Sequence, residues 1–99
     1  MTNPNAGEIL KMEYGTARNF MTPNVLEIGM IANNQNNCIA FELSTGRGIF
    51  EGTQLFGVSV VEYDLITKKT DRHAVKSECF HSLIDANDYI KILKEKYDE

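Results

Sequence analysis

The alternation of apolar and polar positions divides the chain into strand-like stretches that end in one helical stripe. Val25-Leu26-Glu27-Ile28-Gly29-Met30-Ile31-Ala32 is rich in β-branched and apolar residues and predicts a strand, entered through an extended or turned Met21-Thr22-Pro23-Asn24. The five side-chain amides Asn33-Asn34-Gln35-Asn36-Asn37 predict a hairpin loop, because they favour turns and left-handed backbone. Cys38 to Leu43 is the return strand, with Ile39, Phe41 and Leu43 on one face and Cys38, Ala40 and Glu42 on the other. Leu55 to Tyr63 carries the strongest strand pattern. Phe56, Val58 and Val60 share one face, and Leu55, Val61 and Tyr63 share the other with the small Gly57 and Ser59.

Between these two strands, Ser44-Thr45-Gly46-Arg47-Gly48 reads as a glycine loop, and Ile49-Phe50-Glu51 as a short strand ended by Gly52. Asp64 to Lys69 is expected to be a hairpin connection. Asp64 caps the turn, and a left-handed residue falls at Thr67-Lys68, where Gly would be favoured over Lys. Thr70 to Val75 then returns as a polar strand, and its Asp71, Arg72 and His73 are what an edge carries to discourage unwanted pairing. At the other end, residues 1–7 have no periodic apolar face and read as a loose tail. Residues 8–14 fit one helical turn through Ile9 and Met12, but their alternation fits a short strand ended by Gly15, and strand is our reading.

The helix is the clearest element. Ser82 is a good N-cap, followed three residues later by Asp85, and Leu83, Ala86, Ile90, Leu93 and Tyr97 form one stripe. Asp85 and Asp88 in the first turns and Lys91, Lys94 and Lys96 in the last suit the helix dipole. A helix is predicted over 82–97. The sum is an α+β domain: a mainly antiparallel, twisted sheet of four to six strands, meander-like, with one C-terminal amphipathic helix on one face. At 99 residues the chain is expected to be a single domain, 1–99.

Charge changes the picture by exclusion. A formal net charge of −4 disfavours a protein that lives on nucleic acid or on an anionic membrane surface. Residues 1–60 carry 3 basic and 5 acidic side chains and residues 61–99 carry 7 and 9, so neither part is a separate charged module. No stretch approaches the ~18 apolar residues of a membrane span. The N-terminus has neither a basic start nor an apolar segment, so no secretory signal is expected, and the cytoplasm is the default compartment. Cys38 and Cys79 are too few for a disulfide framework, and both are expected to be reduced, buried thiols.

Candidate chemistry is sparse. Ser44, Thr45, Gly46, Arg47 and Gly48 form the best surface candidate. In a loop, glycines let backbone N–H groups approach an anion or a partner, hydroxyls donate, and Arg47 pairs with phosphate or carboxylate. The segment lacks the Gly-Lys-Ser/Thr ending of a P-loop. Cys38, His73, Cys79 and His81 are soft ligands, but no pair has the spacing of a zinc clip, so no metal and no cofactor is expected. Cys79 and His81 could supply a nucleophile and a base near a helix N-terminus, without a third orienting group. Lys68, Lys69, Arg72 and Lys76 make a basic patch within the 64–76 hairpin, diluted by Asp64, Asp71 and Glu78. Strands followed by a helix over 55–95, ending in Phe80, Ser82, Ala86, Tyr89 and Ile90, resemble small domains that lay a sheet into a DNA groove.

The apolar inventory weighs more. One helix covers one face of a sheet, so Phe20, Met21, Ile49, Phe50, Leu55, Val61 and Tyr63 need another cover: the N-terminal segment, a curled sheet or a second subunit. The resulting expectation is a non-catalytic binding or protein-interaction domain that self-associates as a homodimer through the sheet surface the helix leaves open. The alternatives are a nucleic-acid-associated regulator using the 64–76 hairpin and a small enzyme using Cys79 and His81.

Overall fold

The computed structural model describes residues 4–13, 20–48, 52–72 and 75–97. In chain order the elements are α1 (Ala6–Glu13), β1 (Phe20–Asn33), β2 (Asn37–Gly48), β3 (Gln54–Asp64), β4 (Thr70–Asp71), β5 (Glu78–Phe80) and α2 (Leu83–Tyr97). The strands form one antiparallel sheet in the order β1-β2-β3-β4, with β5 also pairing β3. The α+β meander with its C-terminal helix is therefore the architecture of this chain.

Alternation along β2 and β3 sorts side chains to two faces as expected. Ile39, Phe41, Leu43, Val58 and Val60 meet Ala86, Ile90 and Leu93 of α2. The helix begins where Ser82 Oγ accepts a hydrogen bond from the Asp85 N–H at 3.1 Å. Its early residue Tyr89 packs against Phe80 of β5, with ring centroids 5.4 Å apart. Its late residue Lys94 brings Nζ to 5.4 Å from the centre of the Phe41 ring. Leu83, assigned to the buried stripe, is instead 41% exposed, because it occupies the first helical position, ahead of the turns that reach the sheet.

The opposite face carries the largest correction. Residues 8–14 are not a strand: the described part lies in α1, and the tail expected over 1–7 is helical from Ala6. Asn5 and Glu8 explain the start. Asn5 Oδ1 accepts from the Glu8 N–H at 2.9 Å, and Glu8 Oε1 accepts from the Asn5 N–H at 3.0 Å, a reciprocal cap. Ala6, Ile9 and Leu10 then pack on Cys38, Ala40, Val61 and Tyr63. The surface for which a second subunit was expected is thus covered, at Val61 and Tyr63, by the chain's own N-terminal helix.

The two ends of the sheet are closed differently from one another. Asn34 Oδ1 accepts from the N–H groups of Asn36 and Asn37, each at 2.9 Å, which shortens the amide loop to three residues between β1 and β2. Asp64 Oδ1 accepts from the N–H groups of Ile66 and Thr67 at 2.8 and 3.2 Å, and Lys68 takes φ = 60°. The left-handed residue therefore sits at Lys68, as its position predicted. Gly at this position carries no Cβ penalty, so Lys68→Gly is expected to raise stability by about 1 kcal/mol in urea unfolding.

Of the polar strand expected over 70–75, Thr70 and Asp71 pair with Tyr63 and Glu62, and residues 73–74 lie outside the described residues. Pairing resumes at Glu78–Phe80 against Val58–Phe56. Between them the Val60 N–H donates to Ser77 Oγ at 3.0 Å, so a hydroxyl takes a place in the ladder that a strand would have filled. The strand expected at Ile49-Phe50-Glu51 and the residue His73 lie outside the described residues, as do the side chains of Phe20 and Met21.

Candidate functional site

Ser44, Thr45, Gly46, Arg47 and Gly48 do not form a loop. They complete β2, paired with β1 on one side, and Ser44 to Arg47 pair with β3 on the other. Their backbone N–H groups belong to a central strand and cannot converge on an anion. Thr45 is also committed: its hydroxyl donates to the Leu55 carbonyl at 2.9 Å and accepts from Gln54 Nε2 at 3.2 Å. Ser44 is buried. What remains is an open recess beside Arg47, lined by Gly46, Gly52 and Gln54. The composition of 44–48 is that of a turn, but hydrogen bonds from both neighbours outweigh propensity in a central strand.

The nucleophile reading also meets the geometry. Cys38 is buried and Cys79 is exposed, so the expectation of two buried thiols holds for the first alone. Cys38 pairs with Tyr63 and Cys79 with Gly57, six residues apart along β3, or about 20 Å, too far to share a metal ion. Among the described residues no cluster of three or more His, Cys, Asp or Glu is placed to hold one. Cys38 Sγ donates to Asn33 Oδ1 at 3.3 Å, and burial pushes its thiol pKa up. In the native protein at pH 7, iodoacetamide is expected to modify Cys79 alone. Cys38 should react only after unfolding, and a mass spectrum taken at intervals checks both.

The basic residues of the 64–76 hairpin are exposed at Lys68, Lys69, Arg72 and Lys76. Lys76 Nζ lies 2.7 Å from Glu78 Oε1, so its charge is locally balanced. Among the described residues of 55–95, β3 is the long strand, and β4 and β5 have two and three residues.

Strand β1 is the surface that sequence reasoning did not single out. It has 14 residues, and among the described residues its one strand partner is β2. Among the described residues no strand lies along its outer row of N–H and C=O groups. Pro23 falls in the register irregularity between Met21 and Asn24, where the ladder needs no donor from it. Val25, Leu26 and Ile28 are each more than 40% exposed. Glu27 is the one charged residue in the strand. An edge normally carries several charges or breaks itself up, and this one does so only at Pro23, Glu27 and its irregularities near Asn24, Leu26 and Ile31.

The register places Val25, Ile28 and Met30 opposite Ser44, Glu42 and Ala40, on the α1 face. Glu27 and Gly29 lie opposite Leu43 and Phe41, on the α2 face. A Cβ on Gly29 would come within 2.9 Å of the Phe41 ring, so the bare glycine is what lets that ring lie across the edge strand.

Glu42, beside Ile28, is 3% exposed. Burial raises the pKa of its carboxyl. The folded chain therefore holds this proton to higher pH than the unfolded chain, and stability falls as pH rises from the ordinary glutamate range through the raised value. Glu42→Gln is expected to raise the Tm by a few degrees at pH 7, and the gain should shrink in melts at pH 5.

Comparison of the chain with protein-family models, with curated protein sequences and with solved structures finds no match.

Proposed function

We propose that this chain is a non-catalytic interaction module that works by accepting an extended strand along β1 and self-associates through that edge. The observation that carries the reading is a 14-residue strand that, among the described residues, has a strand partner on one side, and that bears three exposed aliphatic side chains and a single charge. Main-chain hydrogen bonds along such an edge supply affinity, and alternate side chains supply selectivity. Helices of the chain itself pack on both sheet faces, and of the exposed aliphatic side chains Val25, Leu26 and Ile28 stand together on one strand.

The test is a selection of decapeptides from a random display library on the folded protein. Selected peptides are expected to alternate apolar residues, to shift amide resonances of β1 residues, and to lose binding to Ile28→Lys. Peptides that bind Ile28→Lys equally well, or whose shifts fall on residues 64–76, would remove the edge from consideration. Salt-dependent retention of a duplex oligonucleotide would favour the basic hairpin instead.

A further inference from the structure

Resting on that edge reading, we infer that the strand accepted by β1 is the β1 of a second copy, paired antiparallel about a two-fold axis through Ile28. The argument is one of register. β1 pairs regularly with β2 over Glu27–Met30, between irregularities near Leu26 and Ile31. Outward-facing and inward-facing backbone groups alternate along a strand, so two copies of one strand can pair only with the axis passing through a residue. An axis through Glu27 sets two carboxylates directly opposite each other, which opposes pairing. An axis through Gly29 puts two bare glycines at the centre. An axis through Ile28 pairs that side chain with itself, Leu26 with the partner's Met30, and Glu27 with the partner's Gly29.

Charge supports this choice. Glu27 and Gly29 both lie on the α2 face. The Phe41 ring lies against Gly29, and Lys94 Nζ stands 5.4 Å from the centre of that ring. Lys94 is exposed, and among the described residues it forms no ion pair. The Ile28 register delivers the one carboxylate of each β1 to the glycine under the other copy's Phe41 ring, the ring on which Lys94 stands from the helix side. The two-fold repeats the contact, so a single acid and a single base supply two complementary pairs. On the α1 face the same register brings Ile28 against the partner's Ile28, covering on each copy an aliphatic side chain now 47% exposed.

The experiment is light scattering on the purified full chain, with three sets of variants. The wild type is expected at twice 11.2 kDa at micromolar concentration and Ile28→Lys at 11.2 kDa with an unchanged circular dichroism spectrum. Glu27→Lys should weaken the dimer by about tenfold or more, and Glu27→Lys with Lys94→Glu should return it to within a few-fold of wild type. In a Cys79→Ser background, Ile28→Cys should form a symmetric disulfide dimer under mild oxidation. A wild-type mass of 11.2 kDa would overturn the second copy as occupant and leave the decapeptide selection to judge the edge. A dimer indifferent to Ile28→Lys would overturn the interface, and a charge swap that rescues nothing would overturn the register.

Discussion

Phe41→Ala is expected to cost about 3–5 kcal/mol, the largest loss of any single truncation in this chain. Phe41 sits in the central strand, is 1% exposed, and is the largest of the fully buried side chains. Its ring touches three layers at once. Below, it lies against the backbone of Gly29; above, it meets α2 at Lys94; around it lie the aliphatic residues of β2, β3 and α2. Removing it takes away buried area and also the filler that the glycine of the edge strand requires. Small domains have a total stability of about 5–15 kcal/mol, so the variant should unfold at a much lower denaturant concentration. Urea titration followed by circular dichroism checks this, and a loss below about 1 kcal/mol would show that the cluster does not depend on the ring.

The second large effect is expected at the other face. Ile9 is fully buried, and Ile9→Ala should cost about 2–5 kcal/mol, whereas Met12→Ala, on the exposed side of the same helix, should cost less than about 0.5 kcal/mol. The contrast tests α1 as the cover of Cys38, Ala40, Val61 and Tyr63. Equal costs at the two positions would mean that the helix does not hold that face. Amide exchange gives a second reading, because a loosened α1 should release protection along β2 and β3 at their shared end before the rest of the sheet.

Residues whose environment is set by near neighbours were legible in the sequence. The face assignment along Cys38–Leu43 and Leu55–Tyr63 follows from alternation, and the helix start at Ser82 follows from a hydroxyl three residues before Asp85. Lys68 could be placed in left-handed backbone because a two-strand turn after Asp64 leaves no other geometry. The helix α1 was missed although its signal was present. Asn5 and Glu8 stand three apart, and Ala6, Ile9 and Leu10 follow helical spacing, but alternation over 8–14 spoke for a strand and drew attention away from the cap.

Residues 44–48 and the edge at β1 were misjudged for a different reason. Two glycines among hydroxyl residues look like a turn locally. Their conformation is decided by β1 and β3, which are distant in sequence and long enough to run past them. Likewise nothing in Val25 to Ala32 says whether one neighbour or two will pair with it. Edge position is a property of the whole sheet's order, in which β2 is, among the described residues, the one strand beside β1.

The two sides of the sheet also differ in what they permit beyond a pair. On the far side, β4 and β5 are short, and Ser77 interrupts the ladder between them at Val60. A further strand arriving there would find two and three residues to template on, separated by a bend. A protein with two continuous edges can add copies without limit, and a fibre grows from each end. If two copies join along β1, the side that each turns outward carries, among the described residues, the short β4 and β5 with Ser77 standing in the ladder between them, and the proposed pair would then end there instead of growing into a polymer.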